Sequence, residues 1–375
     1  MIYIIIFTSI IILIVLPNKK VGLKISICLL FIIWGLQYNM VQDWDMNLSR
    51  WNSVNHKETI FRDVEPLLAY LMSLSKSLTF FGWLMLCAII ELGTIYYFTT
   101  RYVPPRYYWL VIFVLMIRID YGLLLINSNR QTLSVILTMY AVLVLLSSHK
   151  TSVFTFKGIS ILHIIVSSII IYAATKIHSA AFFAFIIIPI FLCVTLVKGN
   201  YKLPIFIICN ILFIGRFLFD VTSLTPILTT QLNQSNITGF NHYLELFDTS
   251  SKVYSFIDQP IYILIMNLTI FFYPKMNFNL KLFSALTICG IILGGYMMGN
   301  LYRLTQYLYI YLIFIVPSLV YYWNQTSNLF LKTIRIPLYC IMLSYCLYSF
   351  NKNLQGNYYK KWNNFTTIFE APKWL

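Results

Sequence analysis

The chain has 375 residues, of which 59% are hydrophobic, 17% aromatic and only 10% charged, and its formal net charge is +15. Apolar runs of bilayer-spanning length recur along it, which excludes a soluble domain and marks an integral membrane protein. The cations are spread in pairs and not clustered, so membrane topology accounts for the positive charge and no nucleic-acid partner is required.

A span needs about 20 apolar residues at roughly 1.5 Å rise each. In chain order the candidates are 2–16, 25–40, 78–99, 107–126, 131–148, 158–175, 179–197, 203–219, 260–273, 282–298, 304–323 and 336–350. The first, ninth and last are short. The expected fold is all-α, a polytopic membrane protein with about 12 transmembrane helices in one transmembrane domain over residues 1–375. No charge precedes the first apolar run, Lys19 and Lys20 follow it, and no small-residue cleavage site is visible, so it reads as a first span with its N-terminus outside.

Orientation follows from alternate connections, because cations near span ends are retained on the cytoplasmic side. One set carries Lys19, Lys20 and Lys24, Arg101 and Arg106, Lys150 and Lys157, Lys198 and Lys202, Lys275 and Lys281, and Lys332 and Arg335. The opposite set holds Asp43, Asp45, Glu58, Asp63, Glu65, Asp220, Glu245, Asp248 and Asp258. Those connections face outward. Two of them, about 41–77 and 220–259, are long enough to carry chemistry. The first is aromatic and acidic, with Trp44, Asp45 and Trp51, and then Glu65-Pro66 placed to open a short helix over 67–74. The second is rich in Thr, Asn and Gln and has the character of a substrate-binding loop.

The seven cysteines lie within apolar segments, without a C-x-x-C pair or a neighbouring histidine, and read as packing residues. No phosphate-binding loop or dinucleotide fingerprint is present. Neither a cofactor nor a metal is expected.

Against this pattern stand cations at the outer face, where cations should be scarce: Arg118, Arg130, Lys176 with His178, and Arg303. Arg118 lies about 17 Å along its helix from the cytoplasmic end, and burying it costs roughly 2.5–3.5 kcal/mol unless a polar cavity or partner receives it. Arg130, His178 and Arg303 sit at outer N-terminal ends of spans, where free N–H groups favour anions. Arginine beside such ends suits a phosphate or pyrophosphate. Taken singly, each arginine also reads as a snorkelling interfacial residue, His178 as a helix-end histidine, and Asp45 and Glu65 as solvated loop acids. Their shared membrane side is what joins them into a site.

The segments Asp43-Trp44-Asp45, Glu65-Pro66-Leu67-Leu68, Asn129-Arg130-Gln131-Thr132-Leu133, Lys176-Ile177-His178-Ser179-Ala180-Ala181 and Tyr302-Arg303-Leu304, followed by Val316-Pro317, occur in that order. Together they resemble the EpsG-type branch of Wzy-like bacterial polysaccharide polymerases, from about residue 40 to 320. The resemblance implies a GT-C-like glycosyltransferase architecture in the bacterial cytoplasmic (inner) membrane, with an outward-facing active site. It implies polymerisation of undecaprenyl-pyrophosphate-linked oligosaccharide repeat units, in O-antigen, capsule or exopolysaccharide synthesis. Membrane lipid is a partner in any case, and a chain-length regulator protein is left open.

On this basis Arg130 and Arg303, helped by Arg118, are expected to hold the diphosphate. His178 is the expected base for the attacking hydroxyl, with Asp45 or Glu65 as rivals. Trp44 and Trp51 are expected to bind sugar. A lipid-linked oligosaccharide flippase, an O-antigen ligase and a membrane acyltransferase are the other classes compatible with size and hydropathy.

Overall fold

The computed structural model describes residues 2–39, 44–56, 64–117, 129–148, 155–156, 159–196, 202–215, 259–296, 304–327, 329–355 and 369. Among these the chain is helical, apart from a two-residue antiparallel pair, β1 (Thr155–Phe156) and β2 (Ile159–Ser160), in the register Thr155↔Ser160 and Phe156↔Ile159. Cα packing divides it into two compact units. One comprises Met1–Thr138, Tyr172–His178 and Val316–Leu375, the other Met139–Ile171 and Ser179–Ile315.

The first unit opens with α1 (Ile2–Val15) and α2 (Lys19–Gly35) as an antiparallel pair. Asn18 caps α2 by accepting from the Val21 N–H, and Ser26 Oγ donates 2.8 Å to the Ser9 carbonyl across the pair. α2 then packs on α5 (Phe80–Tyr102). Thr79 caps the start of α5, and Arg101 stands in its last turn, where a cation meets the negative end of the helix dipole. Pro104 and Pro105 stop α5 and turn the chain through a short 3-10 segment into α6 (Tyr108–Ile117). At the far end of this unit α14 (Leu312–Asn324) meets α15 (Leu329–Gln355). There Asn324 donates to the Tyr107 hydroxyl and accepts from Arg335, each at 2.9 Å.

Between α2 and α5 the chain forms α3 (Trp44–His56) and α4 (Pro66–Leu74), which pack on each other. The short helix was expected; α3 was not. Its buried positions Trp44, Asn47, Arg50, Trp51 and Asn55 repeat at helical spacing, so the sequence carried the signal in polar and aromatic residues where an aliphatic stripe is the usual guide.

The second unit contains α8 (Ile161–Thr175) up to Ile171, preceded by the end of α7 (Asn129–Ser147), and Ser167 Oγ donates 2.8 Å to the Ala141 carbonyl between them. A 3-10 segment, Ser179–Ile186, runs into α9 (Ile187–Leu196), followed by α10 (Lys202–Gly215), α11 (Gln259–Phe272), α12 (Phe278–Tyr296) and α13 (Gln306–Tyr309). Gly290 lets α12 approach α13: a Cβ there would stand 3.2 Å from the Tyr309 nitrogen. Phe283 stacks on Tyr311 with centroids 5.0 Å apart, and α10 and α11 exchange side-chain amides through Asn210 and Asn267.

Among the described residues four helical stretches are long and apolar enough to cross a bilayer, Phe80–Tyr102, Asn129–Ser147, Ser179–Leu196 and Gln306–Asn324, and six more apolar helices are shorter, Tyr3–Val15, Pro105–Met116, Ile161–Thr175, Leu203–Gly215, Ile261–Lys275 and Phe278–Gly294. Several reverse the soluble pattern. α8 exposes Ile161, Leu162, Ile165 and Ile169 while burying Ser167, and α10 exposes Leu203, Ile207, Ile208 and Ile211. Apolar side chains outside and hydroxyls inside are what a hydrocarbon solvent selects. The chain is a multi-pass membrane protein.

Candidate active site

Three segments of the first unit meet at one point. Pro66 at the first position of α4 makes Glu65 its N-cap, but the Glu65 carboxylate does not cap its own helix. The first-turn N–H groups of α4 are met from elsewhere: Leu67 N and Leu68 N donate to the Lys176 carbonyl at 2.9 and 3.4 Å. This fastens the turn after α8 to the start of α4. The turn itself is closed by N–H groups of Lys176, Ile177 and His178 bonded back to the carbonyls of Ala173 and Ala174. His178 is thereby delivered beside Glu65.

The third contributor is Arg130, in the first turn of α7. Its Nη1 donates to Glu65 Oε1 at 2.8 Å, and His178 Nδ1 lies 3.6 Å from the same oxygen, within ion-pair range when the ring is protonated. Side-chain exposure is 26% for Arg130, 16% for Glu65 and 5% for His178, so the arginine is the member most open to solvent. Burial pushes the Glu65 carboxyl up. The interaction with His178 and the Arg130 guanidinium outweigh it and hold the carboxyl below its ordinary range. Glu65 is an anion at neutral pH, flanked by one permanent cation and one that titrates.

The other expected residues fall differently. Asp45 is exposed in the first turn of α3. Arg118 and Arg303 lie outside the described residues. Lys176 turns its ammonium over the Tyr172 ring, 4.8 Å from its centre. Trp44 and Trp51, expected as sugar platforms, are only 3% and 4% exposed. Trp44 packs against Tyr38, Phe80 and Phe81, and Trp51 against Phe80 and Trp83. Both rings pack in the aromatic contact between α3 and α5, because the amphipathic helix turns inward the aromatics that a loop would have displayed.

Two buried charged residues escaped the sequence reading. Arg50 is buried on α3, where Nη1 donates to Asn47 Oδ1 at 3.2 Å. Glu91 is 1% exposed at the middle of α5, and Trp34 Nε1 of α2 donates to its Oε2 at 2.7 Å. Its signal was plain, as the one acidic residue within an apolar helix of 23 residues. Among the described residues no three His, Cys, Asp or Glu side chains gather as a metal set would require.

Chemically, the cluster offers a cation for an oxyanion and an imidazole backed by a carboxylate for a proton. No curated protein and no solved structure matches the chain. It does match one family, described as EpsG family, over residues 20–366.

Proposed function

Because the chain belongs to the EpsG family, we propose that it is a membrane glycosyltransferase that polymerises lipid-diphosphate-linked oligosaccharide repeat units. The observation that carries this reading is the meeting of Glu65, Arg130 and His178 at the ends of apolar helices. A guanidinium beside a carboxylate-backed imidazole is the pairing that glycosyl transfer from a diphosphate requires.

In the proposed reaction a sugar hydroxyl of the incoming unit attacks the anomeric carbon of the growing chain. The new C–O bond forms as the bond from that carbon to the diphosphate oxygen breaks, and undecaprenyl pyrophosphate departs. His178 takes the hydroxyl proton. Arg130 stabilises the charge growing on the leaving diphosphate, and Arg118 and Arg303 are the further cations proposed for it. Asp45, exposed on α3, is the rival base, and Glu65 orients His178. The donor is already activated, so no nucleotide is needed.

The same proposal puts this chemistry at the outer face of the bacterial cytoplasmic membrane, in a single transmembrane domain of about 12 spans with a GT-C-like arrangement. The test is surface polysaccharide length in cells carrying Arg130→Ala or His178→Ala, with membrane abundance of each variant measured alongside. Single repeat units on the final acceptor support a polymerase. Full-length polymer in both variants overturns the site, and absence of any surface repeat favours export of the lipid-linked unit.

A further inference from the structure

Glu65 Oε1 is shared. Arg130 Nη1 occupies it at 2.8 Å and His178 Nδ1 stands 3.6 Å away, while Glu65 Oε2 is buried with no hydrogen-bond partner among the described residues. The two claims on the carboxylate are built unequally. His178 is tied to Glu65 through the backbone, because the turn that carries it accepts from Leu67 N and Leu68 N, two and three positions after Glu65. Arg130 comes from another helix, through its long side chain alone, and is the most exposed of the three.

We propose that Arg130 is exchanged between Glu65 and the diphosphate of the substrate, so that substrate binding hands the carboxylate over to His178 and switches on the base. The inference rests on the reading above that this site takes a lipid-linked diphosphate. A diphosphate presents several oxygens to the planar guanidinium fork, against the single oxygen that Glu65 presents. It wins the arginine. Glu65 then faces His178 without a competing cation, and its unused oxygen lies in the same buried place.

The charged and titratable groups around His178 include Glu65 at the N-cap of α4, Arg130 in α7, and Lys176 in its own turn, with its ammonium on the Tyr172 ring. Withdrawing a cation from this set makes the imidazole harder to deprotonate and so a stronger proton acceptor. Lys176 stays in place on either side of the exchange.

The experiment follows the His178 ring by NMR in histidine-labelled full-length protein in nanodiscs, with the signal assigned by its loss in His178→Gln. Titrations are run with and without farnesyl diphosphate as the probe. In wild type the saturating probe raises the His178 midpoint by about one pH unit, the order expected of one neighbouring charge at this range. Arg130→Gln raises it without any probe. Arg130→Lys keeps the midpoint of wild type but binds the probe more weakly. In Glu65→Gln the rise caused by the probe falls to less than half.

An equal rise in Glu65→Gln and wild type overturns the exchange, since the diphosphate then acts on His178 directly. A probe-free Arg130→Gln midpoint equal to that of wild type also overturns it, and leaves the diphosphate site standing if the probe still binds. Failure of farnesyl diphosphate to bind wild type removes both the exchange and the diphosphate reading.

Discussion

Arg130 Nη1 and Glu65 Oε1 are 2.8 Å apart although 65 positions separate them in the chain. The contact joins the first turn of α7 to the cap of α4, and Lys176 is bonded to the same end of α4. Through Arg130 and His178 the Glu65 carboxylate faces two other segments, which makes its charge state a stability variable.

The Glu65 carboxyl is held below its ordinary value of 4.5. A depressed carboxylate contributes stability that is fully present above the unfolded value and is lost as pH falls through the folded value. Wild type should therefore unfold at a higher temperature than Glu65→Gln at pH 6, with the gap closing below about pH 4.5. Thermal unfolding in nanodiscs across that range measures it. A gap that persists unchanged at pH 3 would mean that the charge is not what Glu65 contributes.

Polymerisation should fall by about 10²- to 10³-fold in Arg130→Ala, the usual loss when one stabiliser of transition-state charge is removed. His178→Ala should lose a comparable factor or more, and its residual rate should lose the acid limb of the pH profile seen in wild type. Purified protein with a lipid-linked repeat unit gives both numbers. Wild-type rates in either variant would remove that residue from the reaction.

The Trp34–Glu91 bond crosses from α2 to α5 within the apolar part of the first unit. Trp34→Phe leaves the buried carboxyl without its indole donor and should destabilise by about 1 kcal/mol, the order measured for polar contacts between membrane helices. Glu91→Gln retains an oxygen to accept from Trp34 and should cost less. Equal melting temperatures for Trp34→Phe and wild type would show the bond to be energetically silent.

In the second unit, Asn210 Nδ2 donates to Asn267 Oδ1 at 2.8 Å, and Asn267 Nδ2 returns a bond at 3.2 Å. Asn210→Leu strands one amide in apolar surroundings and should cost about 1–3 kcal/mol. The double change Asn210→Leu with Asn267→Leu should recover most of the loss, because neither amide is then left unmatched. A double variant no better than the sum of the two singles would refute the coupling.

Orientation is open to chemical labelling. A cysteine at exposed Asp45 should react with a membrane-impermeant maleimide on intact spheroplasts, and one at Lys332 only after permeabilisation. The opposite order would invert the topology and move the candidate site to the cytoplasmic face.

Residues such as Glu65, Arg130 and His178 were legible early because polar groups stand out in a chain that is 59% hydrophobic. The burial of Trp44 and Trp51 was not legible, for a related reason. An aromatic residue in a polar segment looks available, and only the helical period of α3, combined with the α5 surface it meets, turns both rings inward. Glu91 was overlooked because a single acid does not disturb the mean apolarity of a 23-residue helix.

By itself the sequence determined the solvent: apolar run lengths specify hydrocarbon, because that effect is local to each segment. It also nominated the residues that have no reason to lie in a membrane. Only the tertiary structure decided which of them meet. Periodicity tells which residues share a helix face, whereas a 2.8 Å contact between Glu65 and Arg130 depends on where two distant helix ends come to rest. His178 reaches the same carboxylate through backbone bonds such as Leu67 N to the Lys176 carbonyl, which no residue type announces.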